Sequence, residues 1–397
     1  MLIADASSQW LALSSNYLAS IADRLVPDVS VQEQARTLTA GLANDEAKIV
    51  TLTHHVQTNY TYKAIEFGRR ARIPNKPAEI VRNKYGDCKD HAVLLQQMLQ
   101  AVGVPARLVL ASHRGPLQED LPSLDQFDHM LLFVPGRPAG SFLDCTDKGG
   151  DAALSIPPGL ASRSVLVLDS PDPRFAVIPG YPSDASTIEE QRHLRLVDLS
   201  DLAVEETLTL TGPHAAYMRG FMQQVPASSR RLWFQRQAGL AEVELSDFIA
   251  EPLETPCAPL RLYCAYTLRQ QFHRSNNRLS GILRAGVERA YLTADPVDNR
   301  LTPFEVTIPL HLRSSVSLAV PGGFSAEQPS SSAPKFDPRF ADCRSSFRID
   351  GPRVNLEFQC SLPAGKFSPS DYAAYRATMA QALSMLEREV TLKPDAR

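Results

Sequence analysis

Proline is spread so unevenly along this chain that it divides the fold before any motif is read. Residues 1–115 hold four prolines, Pro27, Pro74, Pro77 and Pro105, while the remainder of the chain holds the other 26 of 30. Proline removes a backbone donor and clashes inside helices, so it collects at turns and strand ends. The front of the chain is therefore expected to be helical and the back rich in strands and loops. A length of 397 residues is enough for two or three domains of about 150 residues each.

Composition excludes several classes. Hydrophobic residues at 44% and charged residues at 21% support a sizeable core rather than bulk disorder. A formal charge of −3, from 41 basic and 44 acidic residues, argues against a nucleic-acid binder, which needs a basic balance or a dense basic stripe. No apolar run approaches the ~20 residues of a membrane span. Met1-Leu2-Ile3-Ala4-Asp5 lacks the charged and apolar regions of a signal peptide, so none is expected in this chain. Six cysteines are too sparse for a disulfide framework.

Periodicity then places the elements. Trp10, Leu13, Tyr17, Ile21 and Leu25 recur at helical spacing, Val31 to Leu42 predicts a second helix, and Asp45 opens a third through Ile49, Val56 and Tyr60. Asp87-Cys88-Lys89-Asp90 resembles a capping box and starts a fourth helix at Cys88, buried through Ala92, Leu95, Leu99 and Val102 and stopped by Gly103 and Pro105. Past Gly103 the period changes to that of strands, over Ala106–Ser112, Asp128–Val134 and Ser141–Thr146. Helices followed by an antiparallel meander predict an α+β domain over residues 1–180. Residues 186–397 read as a β-rich, sandwich-like domain with helical inserts near 215–239.

Two signals near the end are sharper. Alternation around Asp350-Gly351-Pro352-Arg353 predicts a hairpin; a two-residue loop would set Cys343 against Phe358, whereas a four-residue loop sets Ile349 against Val354, Phe347 against Leu356 and Cys343 against Cys360. That last pairing brings the two cysteines within reach of a disulfide in an oxidising compartment. Ser368, Pro369 and Asp371 predict the start of a C-terminal helix striped by Tyr372, Tyr375, Met379, Leu383 and Leu386.

Cys88 is the best candidate nucleophile. At the first turn of a helix its sulfur meets the positive end of the helix dipole, which favours the thiolate. Asp87 and Asp90 oppose this, so a cationic partner is required, and histidine is the usual one. His129 opens a strand that enters the core through Met130, Leu131 and Phe133. Asp144, on the adjacent strand, is placed to accept a hydrogen bond from the histidine's far nitrogen, as an exposed strand-end carboxylate. A cysteine on a helix N-terminus facing His and Asp on neighbouring strands suits thiol acyl transfer. A chain of this length offers many Cys, His and Asp triples, so the local sequence around each residue is what distinguishes this one.

Other residues favour bland roles. Cys145 is expected to pack on the face opposite Asp144, and His91, near Cys88 on the helix, to be structural or solvent-facing. His54-His55 mark a surface-to-core transition rather than a metal site. Cys257 and Cys264 lack zinc-ligand spacing. Arg69, Arg70 and Arg72 read as a solvated charge run before an anion site. The Cys88 backbone N–H is a natural oxyanion donor, with Tyr62 as a second.

Tyr85-Gly86-Asp87-Cys88-Lys89-Asp90, Phe127-Asp128-His129 and Leu143-Asp144-Cys145-Thr146, in this order, resemble the transglutaminase-like superfamily. The likeness is to bacterial proteins whose papain-like transglutaminase core is flanked by β domains. It extends through Val56–Tyr62, Lys84 and Gly103-Val104-Pro105-Ala106, spans roughly residues 45–170, and is looser elsewhere. It implies Cys88 as nucleophile, His129 as base and Asp144 as the residue orienting it, with no cofactor or metal. Cys145 stands where relatives often carry proline. Such relatives usually begin with another β domain behind a secretion signal, neither of which is visible here. The chain is therefore either the C-terminal portion of a longer protein with an upstream β domain or a naturally shorter form, and the resemblance points to a periplasmic location.

The implied chemistry is attack on a peptide or carboxamide carbonyl of a protein or peptide substrate through a thioester. Hydrolysis, as in a protease or amidase, is favoured over amine cross-linking, because water is always available whereas a transferase must shield the thioester. The alternative is a non-catalytic binding or assembly module of the bacterial envelope built on the same fold. A calcium-regulated cross-linker is disfavoured by the absence of an EF-hand-like acidic loop.

Overall fold

The computed structural model describes residues 6–64, 71–137, 141–168, 174–237, 240, 243, 245–286, 291–328 and 336–395. The chain divides into a first unit, Met1–Tyr181, and a second, Pro182–Arg397.

The first unit begins with five helices, α1 (Ala6–Ser20), α2 (Val29–Leu38), α3 (Asp45–Asn59), α4 (Pro77–Asn83) and α5 (Cys88–Ala101), with two short strands, β1 (Thr61–Tyr62) and β2 (Tyr85–Gly86), between them. Asp28 caps α2 and Asn44 caps α3. Asp87 and Asp90 complete the capping box of α5, so the local sequence fixes where Cys88 begins its helix. The α5 helix is buried on every side, including Lys89, Asp90, His91 and Gln97, rather than along the single stripe its apolar spacing predicts. It is the axis on which α2, α3, α4 and the sheet pack, and a helix buried all round is what a core position requires.

The strands β3 (Arg107–Ala111), β4 (His129–Phe133), β5 (Phe142–Leu143), β6 (Ser164–Val167) and β7 (Arg174–Val177) form an antiparallel sheet in the order β5-β4-β3-β6-β7. Successive residues of β3 go to opposite faces: Leu108 and Leu110 join the helical core, Val109 and Ala111 a second cluster with Leu131, Phe142 and Val165. The meander is as the sequence predicts, but β5 ends at Leu143. Asp144 is the first residue beyond the strand rather than within it.

The second unit carries β8 (Thr187–Val197), β9 (Asp201–Leu210), α6 (Gly212–Gln224), α7 (Arg230–Gln237), β10 (Leu245–Glu251), β11 (Leu260–Leu268), β12 (Phe272–Ser275), β13 (Arg278–Arg284), β14 (Phe304–Val306), β15 (Leu310–Ala319), β16 (Phe324–Ala326), β17 (Asp342–Asp350), β18 (Arg353–Leu362), β19 (Gly365–Phe367), α8 (Tyr372–Ser384) and β20 (Glu387–Pro394). Its two larger sheets run β10-β11-β9-β8-β15-β18-β17 and β12-β13-β20-β16, β14 pairs with β19, and one apolar cluster draws on both larger sheets. Among the described residues of the seven-stranded sheet, only β8 and β15 pair in parallel. The terminal helix follows a Ser368–Asp371 capping box, and β20 follows it. In the hairpin β17–β18, Ile349 faces Val354, Phe347 faces Leu356 and Cys343 faces Cys360. The loop is the two-residue turn Gly351-Pro352 rather than four residues, since Asp350 pairs with Arg353. Because it is centred one residue later than a turn at Asp350-Gly351, it keeps Cys343 against Cys360 rather than Phe358. Cys343 and Cys360 form a disulfide. No helix among the described residues is long and apolar enough to cross a membrane.

Candidate active site

Cys88 is the first residue of α5, 5% exposed. The chain reaches it through β2, which pairs in parallel with β1 so that Thr61 meets Tyr85 and Tyr62 meets Gly86. Gly86 is obligatory there: a Cβ would lie 2.5 Å from the Asp90 Cβ, closer than carbon atoms approach without bonding. The two carboxylates that flank the thiol are answered locally. Asp87 forms a buried ion pair with Lys89. Asp90 accepts from the Asn75 backbone N–H at 2.6 Å, from Asn75 Nδ2 at 3.2 Å and from the Asp87 N–H at 3.2 Å.

His129 opens β4 and Asp144 follows β5, and antiparallel pairing of these strands brings them together. His129 Nε2 lies 2.7 Å from Asp144 Oδ2, with both side chains buried. This leaves His129 Nδ1 as the nitrogen available to the sulfur. Burial alone would lower the histidine pKa, but the Asp144 charge and hydrogen bond, with Cys88 as a further partner, hold it well above its ordinary range. Asp144 moves the opposite way: burial would raise it, and His129 together with Thr146 holds it well below the usual carboxylate range. Thr146 fixes the other carboxylate oxygen, donating to Oδ1 from its backbone N–H at 2.9 Å and from its hydroxyl at 2.7 Å. Asp144 is thus buried, not the exposed strand-end group the sequence suggests, because it lies past the strand, where His129 and Thr146 enclose its carboxylate.

Cys145 points elsewhere, donating to the Thr53 carbonyl at 3.7 Å. Its thiol is pushed far up by burial and then by the Asp144 charge, which keeps it neutral. Tyr62 is 38% exposed, beside Gly86, with its ring 6.1 Å from that of His91. His91 is buried rather than solvent-facing, with Nδ1 2.8 Å from the Asp87 carbonyl and Nε2 3.3 Å from that of Tyr60. His54 pairs with Asp151 at 2.8 Å. Arg72 pairs with Asp125, while Arg69 and Arg70 lie outside the described residues. Among the described residues no group of three or more His, Cys, Asp or Glu is arranged to hold a metal ion.

Sequence reasoning missed His113, whose ring packs edge-on against that of His129 at 4.9 Å. Its backbone N–H donates to Asp128 Oδ1 at 2.9 Å, so Asp128 braces the neighbour of the histidine rather than the histidine itself. The Phe-Asp-His string carried that signal only as a motif, because the partner lies 15 residues away in sequence.

Residues 32–139 match the family model of the transglutaminase-like superfamily, a stretch that contains Cys88 and His129 and ends before Asp144. Among solved structures the chain is similar to a "putative protease" from Parabacteroides distasonis ATCC 8503, with a TM-score of 0.56 and 15% identity over 96% of this chain and 58% of that one. The chain therefore spans little more than half of that protein, and at such identity the likeness is one of fold. A "putative cysteine protease" from Cytophaga hutchinsonii aligns at 14% identity over 40% of this chain and 51% of that one, with a TM-score of 0.25, too low to argue from. No curated protein matches the chain. The core of the first unit is transglutaminase-like in sequence and α+β in architecture.

Proposed function

We propose that the first unit is a cysteine-nucleophile hydrolase or acyltransferase acting on peptide or carboxamide carbonyls, with Cys88 as nucleophile, His129 as base and Asp144 as its orienting partner. The observation that carries this reading is the buried His129–Asp144 pair at 2.7 Å, with the Cys88 sulfur as the imidazole's further partner. An imidazolium beside the sulfur favours the thiolate without exposure to bulk water. The thiolate attacks the carbonyl carbon and the carbonyl electrons move to oxygen. Collapse expels the amine, which takes a proton from His129, and leaves a thioester on Cys88. Water, giving up a proton to His129, then releases the acid and restores the thiol; an amine in its place gives a cross-link. Hydrolysis remains the favoured outcome, since water needs no binding site. The Cys88 N–H, among the helix N–H groups with no intrahelical acceptor, is the natural oxyanion donor, with Tyr62 as the second.

The test is to incubate the protein with a mixture of peptides and carboxamides and read intact mass. An acyl adduct that maps to Cys88 and disappears in Cys88→Ala supports the reading and identifies the donor. No adduct on a folded protein, combined with tight retention of one mixture component, would move the binding-module alternative ahead.

A further inference from the structure

The turn that carries Asp144 is stitched to the last two turns of α3 along one continuous seam. The Thr53 carbonyl accepts from Cys145 Sγ at 3.7 Å, and His54 Nε2 meets Asp151 Oδ1 at 2.8 Å. Gln57 Nε2 donates to the carbonyls of Asp147 and Gly150, each at 2.6 Å. Lys148 Nζ reaches back to donate to the Gln57 carbonyl and, at 2.8 Å, to that of Tyr60. Positions 53, 54, 57 and 60 share one helical face, so residues 145–151 lie along the end of α3 like a strap.

Lys148 is the central fastening. The α3 helix ends at Asn59, so its final carbonyls lack intrahelical donors and carry the negative end of the helix dipole. A half-buried ammonium is tolerable there because those carbonyls receive it. Gln57 reciprocates from the helix side, so the clasp closes in both directions. It also continues toward the nucleophile. The Tyr60 carbonyl that takes Lys148 also faces His91 Nε2, and His91 Nδ1 meets the carbonyl of Asp87, the residue that caps the Cys88 helix. From Tyr60 the chain runs straight into β1 and Tyr62, which pair with the approach to Cys88.

We propose that Lys148, working with Gln57, is a positioning residue that registers Asp144 against Cys88. Its hydrogen bonds go to the Gln57 and Tyr60 carbonyls and not to a triad side chain, while its charge also acts on Asp144 through space. Lys148 sets the turn that follows Asp144 against the helix whose end leads, through β1 and β2, into Cys88. This rests on the triad reading above.

The experiment uses the whole chain and 4-nitrophenyl acetate, an activated acyl donor whose nitrophenolate burst reads acylation and whose steady state reads deacylation. Lys148→Met is expected to lower steady-state kcat by about tenfold or more with KM changed less than about twofold. Lys148→Arg, which keeps the donors, is expected to recover most of the loss. If Lys148 acts through Asp144, the two changes are non-additive: in an Asp144→Ala background, Lys148→Met should alter kcat by less than about twofold. Additive losses, or wild-type turnover in a folded Lys148→Met protein, would overturn the proposal. Should circular dichroism show that Lys148→Met does not fold, Gln57→Leu removes the other half of the clasp, and the same non-additivity is required of it. Cys88→Ser separates the two ideas. If it leaves turnover intact, the triad reading falls and takes the clasp with it; if it abolishes turnover while the clasp variants behave additively, only the clasp falls.

Discussion

Both units bury charge, and the two clusters differ in what stands beside the thiol. In the first unit His129 and Asp144 form an ion pair with Cys88 as its neighbour. In the second, Glu190, Arg192 and Glu206 are 1%, 6% and 3% exposed within a β-sandwich interior. Arg192 pairs with Glu206 at 3.3 Å and donates to the Tyr266 hydroxyl at 2.8 Å, which donates to Glu206 at 2.7 Å. Glu190 accepts from the Ser314 hydroxyl at 2.6 Å and from the Gly286 N–H at 2.7 Å. A cysteine is nearby there too: Cys264, whose thiol burial and then the Glu206 charge push up to about 12. A carboxylate neighbour disfavours a thiolate and an imidazolium neighbour favours it, so on the triad proposed here buried charge bears on chemistry only when its sign suits the nucleophile.

The largest contrast to test is between one residue of each cluster. Cys88→Ser is expected to cut turnover by about 10⁴-fold or more while leaving the urea midpoint nearly unchanged. Arg192→Met should do the reverse, costing the second unit about 3–5 kcal/mol by stranding Glu206 with turnover intact. Loss of turnover in a folded Arg192→Met protein would break the comparison. Next in size is Asp144→Asn, expected to slow turnover by about 10²–10⁴-fold by misorienting His129, as measured by steady-state kinetics on the donor found by mass trapping.

The ion pair also predicts a pH signature. Asp144 is depressed in the folded state, so its contribution is present above its unfolded pKa near 4 and fades as pH falls below that. His129 is raised, so its contribution is complete below about 6.5 and is lost as pH climbs toward the folded value. The difference in melting temperature between wild type and His129→Gln should therefore peak between about pH 4 and 6.5 and shrink on both sides. A difference that grows steadily above pH 7 would mean the histidine is buried neutral.

The smallest effects concern the silent thiols. Iodoacetamide near pH 6, followed by peptide mapping, should modify Cys88 ahead of Cys145 and Cys264, whose thiols burial and neighbouring carboxylates keep protonated. Equal labelling of all three would erase the contrast between the clusters. Cys145→Ser should leave turnover near normal and shift stability by about 1 kcal/mol at most, because a hydroxyl can still donate to the Thr53 carbonyl.

By itself the sequence determined what depends on near neighbours or on strict period. The capping box of Asp87 and Asp90 set the start of α5, since both groups lie within one helical turn. Alternation with period two set which faces of β17 and β18 turn inward, because a one-residue slip would turn every apolar side chain outward, while the placement of the turn decided that Cys343 meets Cys360 rather than Phe358. The motif strings singled out Cys88, His129 and Asp144 as the triad proposed here. Tertiary structure alone decided the partners of such residues. The pattern of β9 puts Glu206 on an otherwise apolar face but cannot say that Arg192 of β8 meets it. Glu190 and Arg192 in turn interrupt the alternation that would have marked β8 as a strand. Lys148 and Gln57 stand 91 residues apart, and neither carries a local signal of the clasp they form. The energy of a buried polar group depends on which acceptor or charge the fold carries to it across that distance, and no window of sequence contains both.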